Sequence, residues 1–181
     1  KQGYLTHKLS VNISVHDVLN ESFSSFLTAT LQEYQLDAES FILEITETSV
    51  VDDTGHFSRR LRELKTLGFG LAIDDFGTGY SSLIYVSKHP FDEIKIDKEF
   101  IFSLTQSETD ETIVSSTITM AKCLDIKVVA EGIENKETSQ LLASLHCDIV
   151  QGYYYAKPMP LDMYLQWLEQ QNEHALNWQV K

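Results

Sequence analysis

Short apolar runs rich in β-branched residues alternate along the chain with amphipathic stretches of helical period. The runs predict strands, and the stretches predict helices. Strands are expected at Leu9–Ser14, Phe41–Thr46, Gly70–Asp75, Glu93–Asp97, Ile126–Glu131 and Asp148–Gln151. The clearest helices are expected at Phe57–Leu67, Glu111–Leu124, Lys136–Leu145 and Leu161–Gln171. This alternation predicts an α/β fold with a parallel sheet, either open and doubly wound or closed into a barrel.

Most of the predicted strands carry apolar side chains on one face and a polar side chain on the other face, near the C-terminal end of the strand. In the run FILEIT, Leu43 and Ile45 point to one face and Glu44 to the other, because side chains alternate along a strand. If helices cover the apolar rows, the polar face lines a barrel mouth, where (β/α) barrels hold their active sites. The polar positions collected there are Asn12, Glu44, Asp74, Asp75, Lys95, Asp97, Glu131 and Gln151.

The chemistry of this set points to divalent metal ions. Several carboxylates cannot share a partly buried site unless cations neutralise them. Oxygen ligands without nearby His or Cys favour Mg²⁺ or Mn²⁺ over zinc. The adjacent pair Asp74 and Asp75 suits two ions, which together activate water and clamp a phosphate. Lys95 would offer a positive charge to a phosphate oxygen or to the attacking water.

Each position also has a structural interpretation when it is taken alone. A single Glu in a strand is commonly structural, and Asp-Asp before Gly is common turn chemistry. The segment DDFGTGYSSL could be only a strand-to-helix turn in which Ser81 or Ser82 caps the next helix. Tyr153–Tyr155 could stack on a base, although packing is the commoner role of such aromatics. The coincidence of so many polar positions at the mouth favours the functional interpretation.

Composition narrows the class of protein. A chain of 181 residues that is 43% hydrophobic suits one globular domain. No apolar run approaches a membrane span of about 20 residues, and no secretory signal is recognisable, so we expect a cytoplasmic protein whose parent could be tethered elsewhere. The formal net charge of −13 argues against nucleic-acid polymers as partners. Cys123 and Cys147 stand among apolar residues and are expected to be buried, reduced thiols.

The motifs resemble those of the EAL domain, a bacterial phosphodiesterase module, in order and at suitable spacing. The resemblance covers Leu9–Pro160, and the segment DDFGTGYSSL is its most specific part. It implies a modified TIM barrel. The matching motifs are NIS at Asn12, EITE at Glu44, DDFGTGYSSL at Asp74, KID at Lys95, EGIE at Glu131 and QGYYYAKPMP at Gln151.

The resemblance also implies an activity and roles for particular residues. The module would hydrolyse cyclic di-GMP to linear pGpG with two Mg²⁺ or Mn²⁺ ions, and Ca²⁺ would inhibit it. One metal would be held by Asn12, Glu44 and Asp74, and the other by Asp74, Asp75 and Glu131. The catalytic residues would be Lys95, Glu131 and Asp75, with Lys95 and Glu131 serving the attacking water. Support for the loop, the site and the substrate would come from Glu47, Asp97, Glu134 and Gln151.

One expected motif does not occur in residues 1–181. The family carries Glu-Ala-Leu on its first strand, where the Glu binds a metal, followed by a substrate-binding Arg. No such tripeptide precedes Asn12. We therefore expect residues 1–181 to form the C-terminal three quarters of an EAL domain, with the barrel incomplete at the N-terminus, and to be poorly active in isolation.

Partners and alternative functions follow from the same resemblance. We expect a homodimer near Ser81–Lys88, and GGDEF or sensor domains could accompany the module in the parent protein. One alternative function is a receptor that binds cyclic di-GMP without cutting it, which the absence of the first strand favours. The complete acid and lysine set favours the enzyme instead. An unrelated sugar-phosphate barrel enzyme would need another explanation for DDFGTGYSSL.

Overall fold

Six parallel strands form one sheet in the computed structural model, which describes residues 8–47, 55–78 and 83–178, and the side chains of all of these except 83–85 and 171–178. Both ends of each strand lie within two residues of the predicted ends, so the predicted strands are confirmed. The strands are β1 (Leu9–Asn12), β2 (Phe41–Thr46), β3 (Gly70–Phe76), β4 (Glu93–Ile96), β5 (Lys127–Ala130) and β6 (Ile149–Val150).

Helices connect these strands, and a short 3₁₀ turn at Ala38–Ser40 precedes β2. The four helices expected from the sequence are confirmed, and the last one runs seven residues further than expected. None of the helices among the described residues is long and apolar enough to cross a membrane. The helices are α1 (Val15–Leu19), α2 (Phe23–Tyr34), α3 (His56–Thr66), α4 (Leu83–Lys88), α5 (Lys98–Phe102), α6 (Glu108–Cys123), α7 (Lys136–Ser144) and α8 (Leu161–Trp178).

The sequence analysis missed α2. Phe23, Leu27 and Leu31 recur at a spacing of four and are partly buried against the core, which is the signal that could have found it. Serine and threonine fill much of the rest of the helix, and their low helix propensity hides this period.

The strands pair in chain order, from β1 to β6, and every pair is parallel. In a doubly wound sheet the strand order reverses partway across the sheet, whereas in a (β/α) barrel neighbouring strands follow the order of the chain. Within the described residues β1 and β6 each pair on one side only. The expected α/β barrel is thus present as an incomplete, six-stranded barrel.

The core lies between the outer face of the sheet and the helices. Leu71, Ile73 and Ile94 are fully buried there, together with Leu61 of α3. Burying such side chains stabilises the fold by about 1.5–3 kcal/mol each. Their burial fixes which strand residues face inward, and so determines the composition of the barrel interior.

Helix α3 is tied to the chain that precedes it by one arginine. The Arg60 guanidinium donates to the carbonyls of Val18 (3.2 Å), Asn20 (2.8 Å) and Glu21 (3.2 Å), and it pairs with Glu63. These carbonyls end α1 and begin the turn into α2. The arginine therefore satisfies a helix end that would otherwise be left without partners.

The expectation of two buried cysteines is wrong for Cys123. Both thiols are free, but Cys123 is exposed, whereas Cys147 is half-buried. The buried stripe of α6 runs through Val114, Ile118 and Ala121, and Cys123 lies off that stripe. Burial raises the pKa of the Cys147 thiol, which keeps it protonated and unreactive.

A polar cavity of about 660 Å³ lies at the N-terminal ends of the strands. Glu93 lines it and is only 8% exposed, between Lys8 and Lys127. Burial raises the pKa of the Glu93 carboxyl, and the two lysines offset only part of this effect.

We predict that Glu93→Gln raises the thermal midpoint at pH 8. A carboxyl whose pKa is raised in the folded protein stabilises it most when protonated, and this contribution is lost as the pH rises through the folded pKa. The rise should be measurable at pH 8, where Glu93 is ionised, and it should vanish near pH 4, where the carboxyl is neutral like the amide. Calorimetric scans across this pH range measure it, with the exposed Glu169→Gln as the matched control. Equal midpoints for wild type and Glu93→Gln at pH 8 would contradict the prediction.

Candidate active site

One buried lysine gathers three carboxylates at the C-terminal end of the sheet. The Lys95 ammonium lies 2.8 Å from Glu44 Oε2, 2.9 Å from Asp74 Oδ1 and 2.8 Å from Glu131 Oε1. The lysine and Glu44 side chains are each 8% exposed, Asp74 is 14% exposed and Glu131 is 19% exposed. Three carboxylates, each predicted on a different strand, therefore meet around the single positive charge of Lys95.

Strand register explains why these groups meet. Glu44 on β2 pairs with Ala72 on β3, two residues before Asp74, and Lys95 on β4 pairs with Val129 on β5, two residues before Glu131. Residues two apart on a strand share a face. All four polar side chains therefore point into the barrel interior.

The pKa values of the cluster reflect its burial and its charges. Burial alone would lower the pKa of Lys95, but hydrogen bonds to Glu131, Glu44 and Asp74 outweigh it and leave that pKa raised. Burial raises the pKa of Glu131, while the contact with Lys95 opposes this shift. The lysine is therefore firmly charged, and Glu131 holds a proton more readily than an ordinary glutamate.

A β-bulge brings the second aspartate to the site. Ile73 pairs with Ile94 and Phe76 with Ile96, so two β3 residues, Asp74 and Asp75, stand opposite Lys95 alone. Strict alternation would send Asp75 to the outer face. Its φ of 55° is in the left-handed region, which aspartate tolerates better than most residues.

Asp75 contacts Asp97 and also lies close enough to Asp74 and Lys95 to interact with their charges. Burial raises the pKa of the Asp75 carboxyl, and the nearby Asp74 and Asp97 charges raise it further. Asp97 is 8% exposed, and its Oδ1 accepts the Glu99 amide at 2.7 Å, which caps α5. Two acidic carboxyls therefore face each other beside the lysine cluster.

The chain after the bulge is held by Glu47. The Gly77 amide donates to Glu47 Oε2 at 2.7 Å, and Glu47 is only 2% exposed. The Thr78 hydroxyl donates to the Asp75 carbonyl at 2.8 Å. Gly77 has a φ of 104°, and an added Cβ would lie 2.8 Å from the Phe100 ring, so no other residue fits without strain. These contacts are of the kind expected for a residue that holds the loop.

The remaining predicted residues lie around this centre. Gln151 follows β6, and its amide donates to Glu131 Oε1 at 3.3 Å. Asn12 on β1 pairs in register with Glu44 but is exposed, and Glu134 is also exposed. The structure therefore brings Gln151 into contact with the cluster, and it records no such contact for the side chains of Asn12 and Glu134.

A groove of about 1220 Å³ opens beside Glu131 and Gln151. Tyr153 lines it, and so do Tyr164 and Trp167 of α8, whose rings stack with centroids 6.1 Å apart. The sequence analysis missed the α8 pair. Its i, i+3 aromatic spacing was the available signal, but only the folded chain shows that α8 packs beside β6.

Part of the predicted dimer segment lies outside the described residues. The structure does not describe Ser81 and Ser82, one of which would cap the next helix in the alternative interpretation of DDFGTGYSSL, or the side chains of residues 83–85. Val86 is fully buried in the core. The dimer itself stays a prediction.

The donor set fits divalent cations. Glu44, Asp74 and Glu131 offer only oxygen atoms, the ligands that Mg²⁺ and Mn²⁺ prefer. The three carboxylates also converge on one point, which the Lys95 ammonium occupies. In the part of the chain that the structure describes, no three His, Cys, Asp or Glu groups are already arranged around a shared metal position. These three carboxylates instead contact the Lys95 ammonium.

Comparisons with known proteins agree on the family. The EAL domain family model matches residues 2–158. The chain is 37% identical over 155 residues to the cyclic di-GMP phosphodiesterase PdeA of Borreliella burgdorferi, which covers 86% of this chain and 23% of PdeA. The chain thus spans about a quarter of the length of that relative.

Solved structures resemble the fold closely. The PaMucR phosphodiesterase in complex with c-di-GMP superposes with a TM-score of 0.84 at 34% identity, covering 90% of this chain and 66% of that one. The manganese and cyclic di-GMP complex of Klebsiella pneumoniae BlrP1 has a TM-score of 0.79 at 33% identity, with 84% and 39% coverage.

We predict that Lys95→Met makes the stability of the protein depend on metal. Removing the ammonium leaves three buried carboxylates uncompensated, which should cost about 3–5 kcal/mol without metal. Because Mn²⁺ can take over the charge, it should raise the thermal midpoint more in Lys95→Met than in wild type.

The matched control for this substitution is Lys65→Met. Lys65 pairs with Asp92 at 2.6 and 2.7 Å at the opposite end of the barrel, and both side chains are partly exposed. This substitution should cost at most about 1 kcal/mol and should leave the Mn²⁺ shift unchanged. Equal Mn²⁺ shifts in wild type and Lys95→Met would refute the assignment of this cluster as a cation site.

Proposed function

The chain belongs to the EAL domain family, and on that premise we propose that it hydrolyses cyclic di-GMP to linear pGpG. The observation that carries the proposal is the convergence of Glu44, Asp74 and Glu131 on Lys95 at the mouth of the barrel. An acidic, lysine-centred pocket suits cleavage of a phosphodiester, since it can hold metal ions and activate water in one place.

In this proposal, Glu131 and Lys95 act on the attacking water. Glu131 has a raised pKa and is held between the Lys95 ammonium at 2.8 Å and the Gln151 amide at 3.3 Å. Its unprotonated carboxylate would take a proton from the water, whose oxygen bonds to phosphorus as one P–O ester bond breaks. The leaving sugar oxygen would take up a proton from solvent, and Glu131 would release its own proton to solvent afterwards. The products are a terminal phosphate and a free hydroxyl, which is linear pGpG.

The same residues would hold two divalent ions. We propose that Asn12, Glu44 and Asp74 bind one, and that Asp74, Asp75 and Glu131 bind the other. When bound, Mg²⁺ or Mn²⁺ would polarise the phosphate and lower the pKa of water. The manganese complex of BlrP1 supports the choice of ion.

The groove beside Gln151 is the proposed site for the nucleotide. Its aromatic walls, including Tyr153, Tyr164 and Trp167, offer faces on which a guanine could stack. Lys157 lies 5.5 Å from the Tyr153 ring centroid, and Lys98 lines the same groove, so positive charge is present for a phosphate. A cytoplasmic location, a homodimer and attached GGDEF or sensor domains stay predictions from the sequence.

We predict that the full-length protein converts cyclic di-GMP to pGpG with Mn²⁺ or Mg²⁺, and that Asp74→Asn lowers turnover about 10²–10³-fold. Asp74 is proposed to serve both ions, so its loss should cost about 3–4 kcal/mol of transition-state stabilisation. Chromatography of the products measures the rate.

The control is Asp125→Asn, the same change at an exposed position at the other end of the barrel, where the φ of 58° suits asparagine as well as aspartate. It should keep wild-type turnover. Wild-type turnover in Asp74→Asn would refute the two-metal assignment. Tight binding without cleavage by wild type would favour the receptor instead.

Calcium is predicted to support nucleotide binding without turnover. Ca²⁺ takes longer bonds and a looser geometry than Mg²⁺ or Mn²⁺, so the reacting groups should be misplaced. The test is calorimetric binding of cyclic di-GMP with Ca²⁺, followed by competition of Ca²⁺ against Mn²⁺ in the hydrolysis assay. Turnover with Ca²⁺ alone equal to that with Mn²⁺ would contradict this expectation.

A further inference from the structure

The loops that follow β5 and β6 lie against each other beside the site. The Ile133 amide donates to the Gln151 carbonyl at 3.2 Å, and the Tyr154 amide donates to the Ile133 carbonyl at 2.9 Å. Ile133 is fully buried, and its two partners stand before and after Gly152 in the chain. These two hydrogen bonds, which we call the Ile133 junction, therefore join the two loops into one unit.

The Ile133 junction leaves no room for a side chain at position 152. A Cβ on Gly152 would overlap the amide nitrogen and the carbonyl oxygen of Ile133, and it would lie 2.7 Å from the carbonyl carbon. All three are backbone atoms, so rotation of a side chain cannot relieve the overlap. The close approach of the two backbones therefore depends on glycine.

The Ile133 junction is next to the carboxylate that is proposed to act on the attacking water. Gln151 precedes Gly152, and its side-chain amide donates to Glu131 Oε1 at 3.3 Å. The same oxygen lies 2.8 Å from the Lys95 ammonium. Tyr153 follows Gly152 and lines the groove. The placement of Gly152 therefore affects both the contact with Glu131 and one wall of the groove.

The two loops are not held equally firmly. Glu131 is bonded to Lys95, and Gly132, with a φ of 76°, packs so closely that an added Cβ would lie 2.6 Å from Lys98 Cβ. By contrast, β6 is two residues long and, within the described residues, pairs only with β5. A methyl group at position 152 would therefore displace Gln151 and leave Glu131 in place.

We propose that Gly152 is a positioning residue for the site. Its missing side chain lets the Ile133 junction close, and the closed junction brings the Gln151 amide to Glu131. This contact restricts the rotation of the Glu131 carboxylate, which keeps it oriented for the attacking water. The catalytic part of this inference rests on the proposed function, whereas the structural part does not.

The test compares Gly152→Ala, Gln151→Ala and the double variant in the full-length protein. Gly152→Ala should speed amide exchange at Ile133 and Tyr154 about tenfold, because the methyl group separates the two backbones. At saturating Mn²⁺ and cyclic di-GMP, each single variant should lower kcat about tenfold, as expected for the loss of one hydrogen bond to a charged group. The double variant should lower kcat no further than Gln151→Ala, because Gly152 acts through Gln151.

The matched control is Gly70→Ala, the same substitution at a tightly packed position at the opposite end of the barrel. Its added Cβ would lie 3.1 Å from Ile42 Cγ1, where β3 begins. Whatever its effect on the thermal midpoint, it should leave kcat and the amide exchange at Ile133 and Tyr154 at wild-type values.

Each outcome of this comparison decides the proposal. Wild-type exchange in Gly152→Ala would overturn it. A double variant whose kcat falls by the product of the two single effects, about a hundredfold, would also overturn it, because Gly152 would then act independently of Gln151. If wild type itself does not hydrolyse cyclic di-GMP, the proposed function fails, and amide exchange alone then decides whether the Ile133 junction depends on glycine.

Two further measurements decide the proposal if Gly152→Ala does not fold. In wild type, the Ile133 and Tyr154 amides should be equally protected from exchange, because one opening of the junction breaks both bonds. Gln151→Ala should still lower kcat about tenfold. Unequal protection of the two amides, or wild-type kcat in Gln151→Ala, would overturn the proposal.

Discussion

A buried ammonium cannot stay charged without close partners, and three carboxylates cannot stay ionised together without a cation. Lys95 and its three acids satisfy both needs at distances of 2.8 to 2.9 Å. These short contacts are possible only if β2, β3, β4 and the end of β5 keep their register. The charge balance at the mouth and the order of the strands therefore depend on each other.

The two ends of the barrel use charge differently. At the C-terminal end the acids converge on a single lysine. At the N-terminal end, Asp92 accepts the Leu71 amide at 2.8 Å and Asp148 accepts the Val128 amide at 2.9 Å, so these carboxylates satisfy backbone groups where strands begin. Acids of the second kind stabilise the fold, which is why acid content alone says little about function.

Alternation along single strands was enough to predict the fold class and the inward direction of Glu44, Lys95 and Glu131. It could not predict the bulge at Asp75, because a bulge depends on the register between two strands and on a left-handed backbone. The groove residues of α8 were missed for a similar reason, since their position depends on packing between distant parts of the chain. The exposed Cys123 shows that apolar neighbours in sequence do not establish burial on a helix.

The lysine at the centre of the acids also affects how far folding depends on a bound metal ion. Many small metal proteins fold only when the ion arrives, because their ligands repel one another without it. Here the ammonium offsets part of the negative charge of the three carboxylates, so the closeness of these acids does not by itself require an ion. Any ion that binds them would then compete with an internal counterion, so the proposed metal occupancy would depend on the free metal concentration more than the folding does.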